Sequence, residues 1–388
     1  MDFFWKKDGW EEQDVQIRRL KEQPFVRKFP ELSLRPGLYM IRGPRQVGKS
    51  TWLKTLLSQL CKKYPAESIL YASCEQLADS DDLAHFLEVH RHRKVILLDE
   101  VTFVKDWDRA IKHFVDSKPF EILIATGSNS ADLRRGADTM PGRFRGGGEH
   151  FLRPMDFAEF ASVRASAGWS KPTRLEELQT YFRVGGFPSV VIEAGKDGIP
   201  SESSLENIWR WLVGDARKLG RSEQFLREML GQLALTLSSP ISLQKLAQRT
   251  QMGSHHTARQ YIELLEDCFA LRSLYALDLN TGAYRFKKEK KFYFSDPIIY
   301  WIALHVNGLR VPENFEERIA EMVANEFLAS RYKKVGYLST PSGEVNFLAM
   351  PDAAFEVKWS DQPQNLSRAF KTLKVAEKKV WYKENFLE

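Results

Sequence analysis

The stretch Ile41-Arg-Gly-Pro-Arg-Gln-Val-Gly-Lys-Ser-Thr51 places Gly43 and Gly48 around four residues and follows them with a lysine and a hydroxyl. The apolar run Gly37-Leu-Tyr-Met-Ile41 before it has the length of a buried parallel strand. After it, Trp52, Leu53, Leu56, Leu57 and Leu60 recur with a helical period. Strand, Gly-x-x-x-x-Gly-Lys-Ser and helix therefore stand in the order that a phosphate-binding loop requires. In such a loop Gly43, Pro44, Arg45, Gln46, Val47, Gly48, Lys49, Ser50 and Thr51 wrap the phosphates. Backbone N–H groups and the helix N-terminus cradle the oxygens, Lys49 reaches the β and γ oxygens, and Ser50 holds Mg²⁺. ATP and Mg²⁺ are the expected ligands. A glycine-rich turn with a chance lysine is the alternative, and the matching flanks speak against it.

Three further apolar runs extend the pattern. Ser68-Ile-Leu-Tyr-Ala-Ser-Cys-Glu75 reads as a strand and Leu83–His90 as a helix. Val95-Ile-Leu-Leu98 then ends in Asp99-Glu100. A buried parallel strand delivers its last residues to the sheet edge where ligands of such sheets bind. Asp99 is thus expected to reach Mg²⁺ through water, and Glu100 to act as the base that polarises the attacking water. Helix capping is the competing role for both. Phe120–Gly127 forms the next strand, and Ser128 or Asn129 after it is expected to sense the γ-phosphate, unless Ser128 or Ser130 merely caps a helix. Glu149–Pro154 supplies the fifth strand.

The 388 residues, 43% hydrophobic, exceed what one core holds, so two to four domains are expected. No run approaches the roughly 18–20 apolar residues of a membrane span, and the N-terminus alternates apolar with charged residues where a signal peptide needs an apolar block. The expectation is a soluble cytoplasmic protein with no membrane contact. Cys61, Cys74 and Cys268 are scattered, which predicts reduced thiols and no zinc site. A net charge of +6 permits nucleic acid as a partner without demanding it.

Six motifs then follow in order: the loop itself, Val95–Asp116, Ile122–Ser130, Pro141-Gly-Arg-Phe144, Leu152–Phe160 and Tyr181–Val191. In this the chain resembles the prokaryotic AAA+-type ATPases that carry a C-terminal domain of unknown function, from about Leu38 to about Lys358. The resemblance implies a five-stranded AAA+ core and a small helical lid. It implies that Arg143, of Gly142-Arg143, is an arginine finger for a neighbouring subunit, with Arg134, Arg135 and Arg145 as rivals. An arginine acting in trans implies a homo-oligomer, a hexamer being one such form. Gly185-Gly-Phe-Pro188 would be a tight turn in the lid, structural or near the adenine.

Beyond Arg221 the pattern changes to three amphipathic segments, Phe225–Leu237, Ser242–Thr250 and Ser254–Phe269. Three helices with a tight turn before the third make a helix-turn-helix. Ala258, Ile262, Leu264 and Leu265 would face the core, and Ser254, His255, His256, Arg259 and Gln260 a DNA groove. A hairpin turning at Asn280-Thr281-Gly282 follows, with Arg285, Lys287, Lys288, Lys290 and Lys291 interleaved with aromatics. As the wing of a winged helix it would lie on phosphates, with DNA as partner; a protein partner is the alternative.

The tail resembles the PD-(D/E)XK nuclease arrangement. Glu356-Val-Lys358 fits its second element, but Glu344-Val-Asn346 has asparagine where the family has aspartate. The family's helix acid falls on Ala320, with Glu321 one position away. A nuclease-shaped and inactive domain is the expectation.

The full reading is an α/β protein: residues 1–160 an N-terminal segment and P-loop AAA+ core with a parallel sheet, 161–220 a helical lid, 221–297 a winged helix-turn-helix, and 298–388 a degenerate nuclease-like domain. Its expected role is to couple ATP hydrolysis to DNA binding and remodelling. The order of ATPase core and winged helix resembles that of bacterial branch-migration motors, which implies junction or forked DNA. A slow ATP-dependent switch that holds a protein partner is the rival, and an ATP-dependent nuclease is disfavoured by Asn346.

Overall fold

The structure is a computed structural model that describes residues 4–7, 9–117, 120–128, 142–361 and 364–388. It divides into two compact units, Met1–Pro154 and Met155–Glu388. Among the described residues, no helix is long and apolar enough to cross a membrane.

The first unit opens with the short helices α1 (Trp10–Gln13) and α2 (Val15–Glu22). Asp14 caps α2 by accepting from the Gln16 and Ile17 N–H groups. Its other oxygen takes Lys54 Nζ at 2.5 Å, which fixes this segment to α3 (Lys49–Cys61).

Five strands follow: β1 (Gly37–Arg42), β2 (Ile69–Ser73), β3 (Val95–Asp99), β4 (Ile122–Gly127) and β5 (Gly148–Phe151). They form one parallel sheet in the order β2-β3-β4-β1-β5. β3 and β4 are buried along their whole length, as expected of strands covered on both faces by helices. α3 packs on β3 and β4, and α4 (Ser80–Val89) packs against α5 (Trp107–Ser117). Because every strand runs the same way, all five carboxyl ends meet one edge. Because β4 lies between β1 and β3, the residue after β4 falls between the loop after β1 and the acids after β3.

The second unit begins with α6 (Phe157–Ser166) and α7 (Arg174–Val184), each started by a capping box, Asp156 with Glu159 and Thr173 with Glu176. α7 stops at Gly185, whose φ of 73° and ψ of −166° lie in a region that only glycine occupies freely. Gly186 N–H donates to Asp296 Oδ2 at 2.7 Å, and Ile298 N–H to Oδ1 at 2.9 Å. A Cβ on Gly185 would overlap Asp296 Oδ1, and one on Gly186 the Met155 carbonyl. The Gly-Gly-Phe-Pro motif thus forms a packed turn against an acid 110 residues away. Burial pushes that carboxyl up to about 7 against the pull of its two N–H donors.

Next come α8 (Pro188–Ala194), α9 (Glu202–Lys218), α10 (Glu223–Leu235), α11 (Leu243–Gln248) and α12 (His255–Asp267). β6 (Leu271–Tyr275) and β7 (Lys290–Phe294) pair antiparallel. The turn expected at Asn280 is present, closed by Asp278, whose Oδ1 accepts from the Asn280 and Thr281 N–H groups. α13 (Pro297–Val306) starts on the Asp296 cap, and α14 (Phe315–Arg331) leads to a four-stranded mixed sheet. Its strands are β8 (Lys334–Thr340), β9 (Gly343–Met350), β10 (Ala353–Val357) and β11 (Glu377–Trp381), ordered β11-β10-β9-β8, with α15 (Arg368–Thr372) packed on β9.

One expectation is corrected here. Lys291 does not lie on an exposed wing: it is 1% exposed, and its ammonium meets Glu321 Oε1 at 2.8 Å and Glu344 Oε1 at 2.6 Å. β7 is buried on both faces from Lys291 onward, so strand alternation does not return that lysine to solvent. Lys290 is half-buried over the Tyr275 ring, and only Lys287 and Lys288 of the four lysines are exposed.

Candidate nucleotide site

The loop after β1 ends at Gly48, which precedes α3 with φ 100° and gives the helix no side-chain cap. The first N–H groups of a helix have no intrahelical partner, so an uncapped N-terminus is an anion site. Gln46 also adopts a left-handed φ of 63°, which a non-glycine residue holds only where its surroundings impose it. A Cβ on Gly43 would overlap the Leu152 carbonyl, so the loop passes closer to its neighbour than any other residue allows.

Lys49 is 4% exposed. Its three N–H donors go to Gly43 O at 3.1 Å, Pro44 O at 2.9 Å and Ser128 Oγ at 2.6 Å. Burial lowers its proton affinity, opposed by Glu100 and Asp99. Ser128 passes the link on, donating to Glu100 Oε1 at 2.6 Å, and Lys49 Nζ lies 3.6 Å from that same oxygen. The position of β4 between β1 and β3 is what brings Lys49, Ser128 and Glu100 together.

Glu100 has a left-handed backbone, φ 51° and ψ 49°, held by its N–H on Thr126 Oγ1 at 2.9 Å. Its Oε2 is buried and makes no hydrogen bond among the described residues. A buried carboxylate oxygen without a donor costs on the order of 1–3 kcal/mol, more when charged, and is a place for a water molecule. Asp99 accepts from Thr126 Oγ1 at 2.6 Å and Tyr71 OH at 3.1 Å, two bonds that fix its carboxylate plane. A carboxylate offers about four lone-pair sites, so Asp99 retains acceptor capacity for a metal-bound water. Ser50 and Thr51 are partly exposed at the start of α3. Uncapped helix, buried lysine, orphaned carboxylate oxygen and glycine cradle together fit a nucleotide phosphate chain with its cation.

The sequence did not point to Arg27 or Phe29. Arg27 Nη1 donates to the Val47 carbonyl at 3.1 Å, and Phe29 stacks on Trp52 at 6.0 Å, its ring 3.3 Å from where a Gly48 Cβ would stand. Both brace the loop from the N-terminal segment, where no spacing or motif marks them. Arg143 is held inside its own unit, with Nε and Nη2 at 2.7 and 2.9 Å from the two Asp116 oxygens. Arg145 Nη2 donates to the Val115 carbonyl. Asn129, Ser130, Arg134 and Arg135 lie outside the described residues.

In the second unit, Ala258, Ile262, Leu264 and Leu265 of α12 are buried as expected, with Tyr261 added, while His255, His256, Arg259 and Gln260 are exposed. In the C-terminal sheet, Glu321 and not Ala320 reaches the strands. It accepts from Lys291, from Tyr293 OH in a short bond, and from Asn346 Nδ2 at 3.3 Å.

Residues 35–161 match the family model described as an AAA domain. Residues 175–310 match a domain of unknown function, DUF8612. An uncharacterized protein of Haemophilus influenzae is 29% identical over 331 residues, covering 80% of this chain and 78% of that one. Another, from Methanocaldococcus jannaschii, is 21% identical over 338 residues, covering 77% and 69%. Among solved structures, the Aeropyrum pernix ORC2 protein aligns with a TM-score of 0.37 at 12% identity, covering 75% of this chain and 91% of that one. The AAA domain match spans β1 to β5 and so contains Lys49, Asp99, Glu100 and Ser128.

Proposed function

We propose that the chain is an ATPase whose AAA domain hydrolyses ATP and whose second unit couples that cycle to DNA. The observation that carries the first half is the Lys49–Ser128–Glu100 chain of hydrogen bonds, which ends in a buried carboxylate oxygen with no donor. Lys49 exchanges the Gly43 and Pro44 carbonyls for phosphate oxygens. Glu100 orients and deprotonates a water through its open Oε2, while Ser128 holds the other oxygen in place. Ser50 and Asp99 would hold Mg²⁺, which supplies neutralisation of phosphate charge. For Arg143 to act on a neighbouring subunit of a homo-oligomer it must exchange Asp116 for phosphate.

The DNA half rests on α10 to α12 with the β6–β7 hairpin, read as a winged helix, and on the exposed Arg259, Lys287 and Lys288. ATP turnover measured with single-stranded, duplex and branched DNA tests it: stimulation by DNA is expected. Indifference to all three would favour the switch with a protein partner, a reading supported by Leu279 and Phe286, 50% and 66% exposed beside the turn. Replacing Lys287 and Lys288 with alanine should weaken every sequence alike and reduce the slope of log affinity against log salt by about 1.8. Lys290→Ala should change it less. An unchanged slope would remove the hairpin from the interface.

A further inference from the structure

The PD-(D/E)XK arrangement implies a divalent cation among its acids, and the residues present here do not fit one. Glu321 on α14, Glu344 on β9 and Glu356 on β10 are the three carboxylates concerned. Glu321 spends Oε1 on Lys291 and Tyr293 and Oε2 on Asn346. Glu344 Oε1 is paired with Lys291, and Glu356 takes the Asn346 N–H and Lys358 Nζ, both at 3.3 Å. Among the described residues, no group of three or more His, Cys, Asp or Glu is placed to hold a metal ion.

We infer that the Lys291 ammonium is the resident cation of this acidic pocket, fastening the β6–β7 hairpin to the C-terminal sheet and leaving that sheet without a divalent metal. A lysine ammonium is a compact point charge with three donors, and it lies 2.6 and 2.8 Å from carboxylates of two different elements. A divalent ion bound to the same oxygens would stand against that ammonium, where like charges repel.

Asn346 completes the arrangement, and its amide orientation is fixed by its partners. The Val357 N–H at 3.0 Å requires an acceptor, so Oδ1 faces it and Nδ2 faces Glu321. An aspartate there has no donor for Glu321 and would set two carboxylates against each other. Asn346 is therefore the partner that a lysine-filled pocket needs, and Asn346→Asp alone restores no metal site. The hairpin is bound to the same sheet at two other points, where Ala276 bridges Tyr337 and Tyr337 OH donates to the Glu289 carbonyl at 2.6 Å, and to α14 where Arg272 forks onto Glu326.

The test is thermal unfolding of the full chain without nucleotide, with and without Mn²⁺, in wild type, Glu344→Gln, Asn346→Asp and Lys291→Met. Wild type and Asn346→Asp should show no Mn²⁺ shift that depends on Glu344. Lys291→Met, which keeps the apolar stem, should melt on the order of 10 °C lower, because the buried Glu321 carboxylate and the partly exposed Glu344 lose their cation. Mn²⁺ should then raise it by roughly 5 °C, and Glu344→Gln in the same background should abolish that rise. A wild-type Mn²⁺ shift removed by Glu344→Gln overturns the inference, as does a Lys291→Met protein that Mn²⁺ leaves unshifted. Should Lys291→Met not fold, isothermal titration of Mn²⁺ into wild type and Glu344→Gln decides alone: identical traces uphold the lysine as occupant, and a site lost with Glu344 refutes it.

Discussion

Glu100→Gln should bind ATP with wild-type affinity and turn it over at least about a hundredfold more slowly, whereas Lys49→Ala should lose the binding itself. The two side chains share Ser128, with Lys49 2.6 Å and Glu100 Oε1 2.6 Å from its hydroxyl, yet the proposed cycle uses them at different stages. Lys49 supplies a buried positive charge at the uncapped start of α3, where the proposed function puts the phosphates. Its removal also leaves the Gly43 and Pro44 carbonyls without their donor and loosens the loop. Glu100 carries its open oxygen away from those contacts, and glutamine preserves shape and the bond from Ser128 while losing basicity. Equilibrium binding of a fluorescent nucleotide separates affinity from turnover. Equal affinity in wild type and Lys49→Ala would remove the loop from nucleotide binding, and full turnover in Glu100→Gln would remove the base.

Gly185→Ala should destabilise the second unit by about 2–5 kcal/mol and leave nucleotide binding intact. Two independent penalties combine. The backbone at φ 73° and ψ −166° excludes a Cβ, and the Cβ would overlap the oxygen of Asp296 that caps α13. Relief by moving Asp296 would strip the Gly186 N–H of its acceptor. The urea midpoint of the second unit should fall with an unchanged slope, and a midpoint equal to wild type would show that the turn is not held as described.

The sheet of the first unit was legible because its buried parallel strands read as continuous apolar runs, each closed by residues whose chemistry survives at the strand end. The loop could be placed from its glycine spacing between strand and helix, and Asp99, Glu100 and the pair Ser128 or Asn129 from strand ends. Arg27 could not, since a cation that hydrogen-bonds one carbonyl leaves no spacing to detect. Lys291 was misplaced for a related reason: within Lys287-Lys-Glu-Lys-Lys291 nothing local separates a lysine on phosphate from one buried on glutamate, and the partners lie 30 and more residues away. Glu321 differs again, because one residue along a helix turns a side chain by about 100°, so a displacement of one position decides which side chain faces the strands.

The bond between Gly186 and Asp296 also sets an order of events during synthesis. A ribosome adds about 5–20 residues per second, so the 110 residues between donor and acceptor take roughly 5–20 s to appear. The first unit, complete at Pro154, has that interval to close its sheet, while the buried turn behind it waits for its acceptor. A truncated chain ending before Asp296 would carry a finished first unit and an unfinished second one, and a stalled ribosome would present that intermediate to the cell.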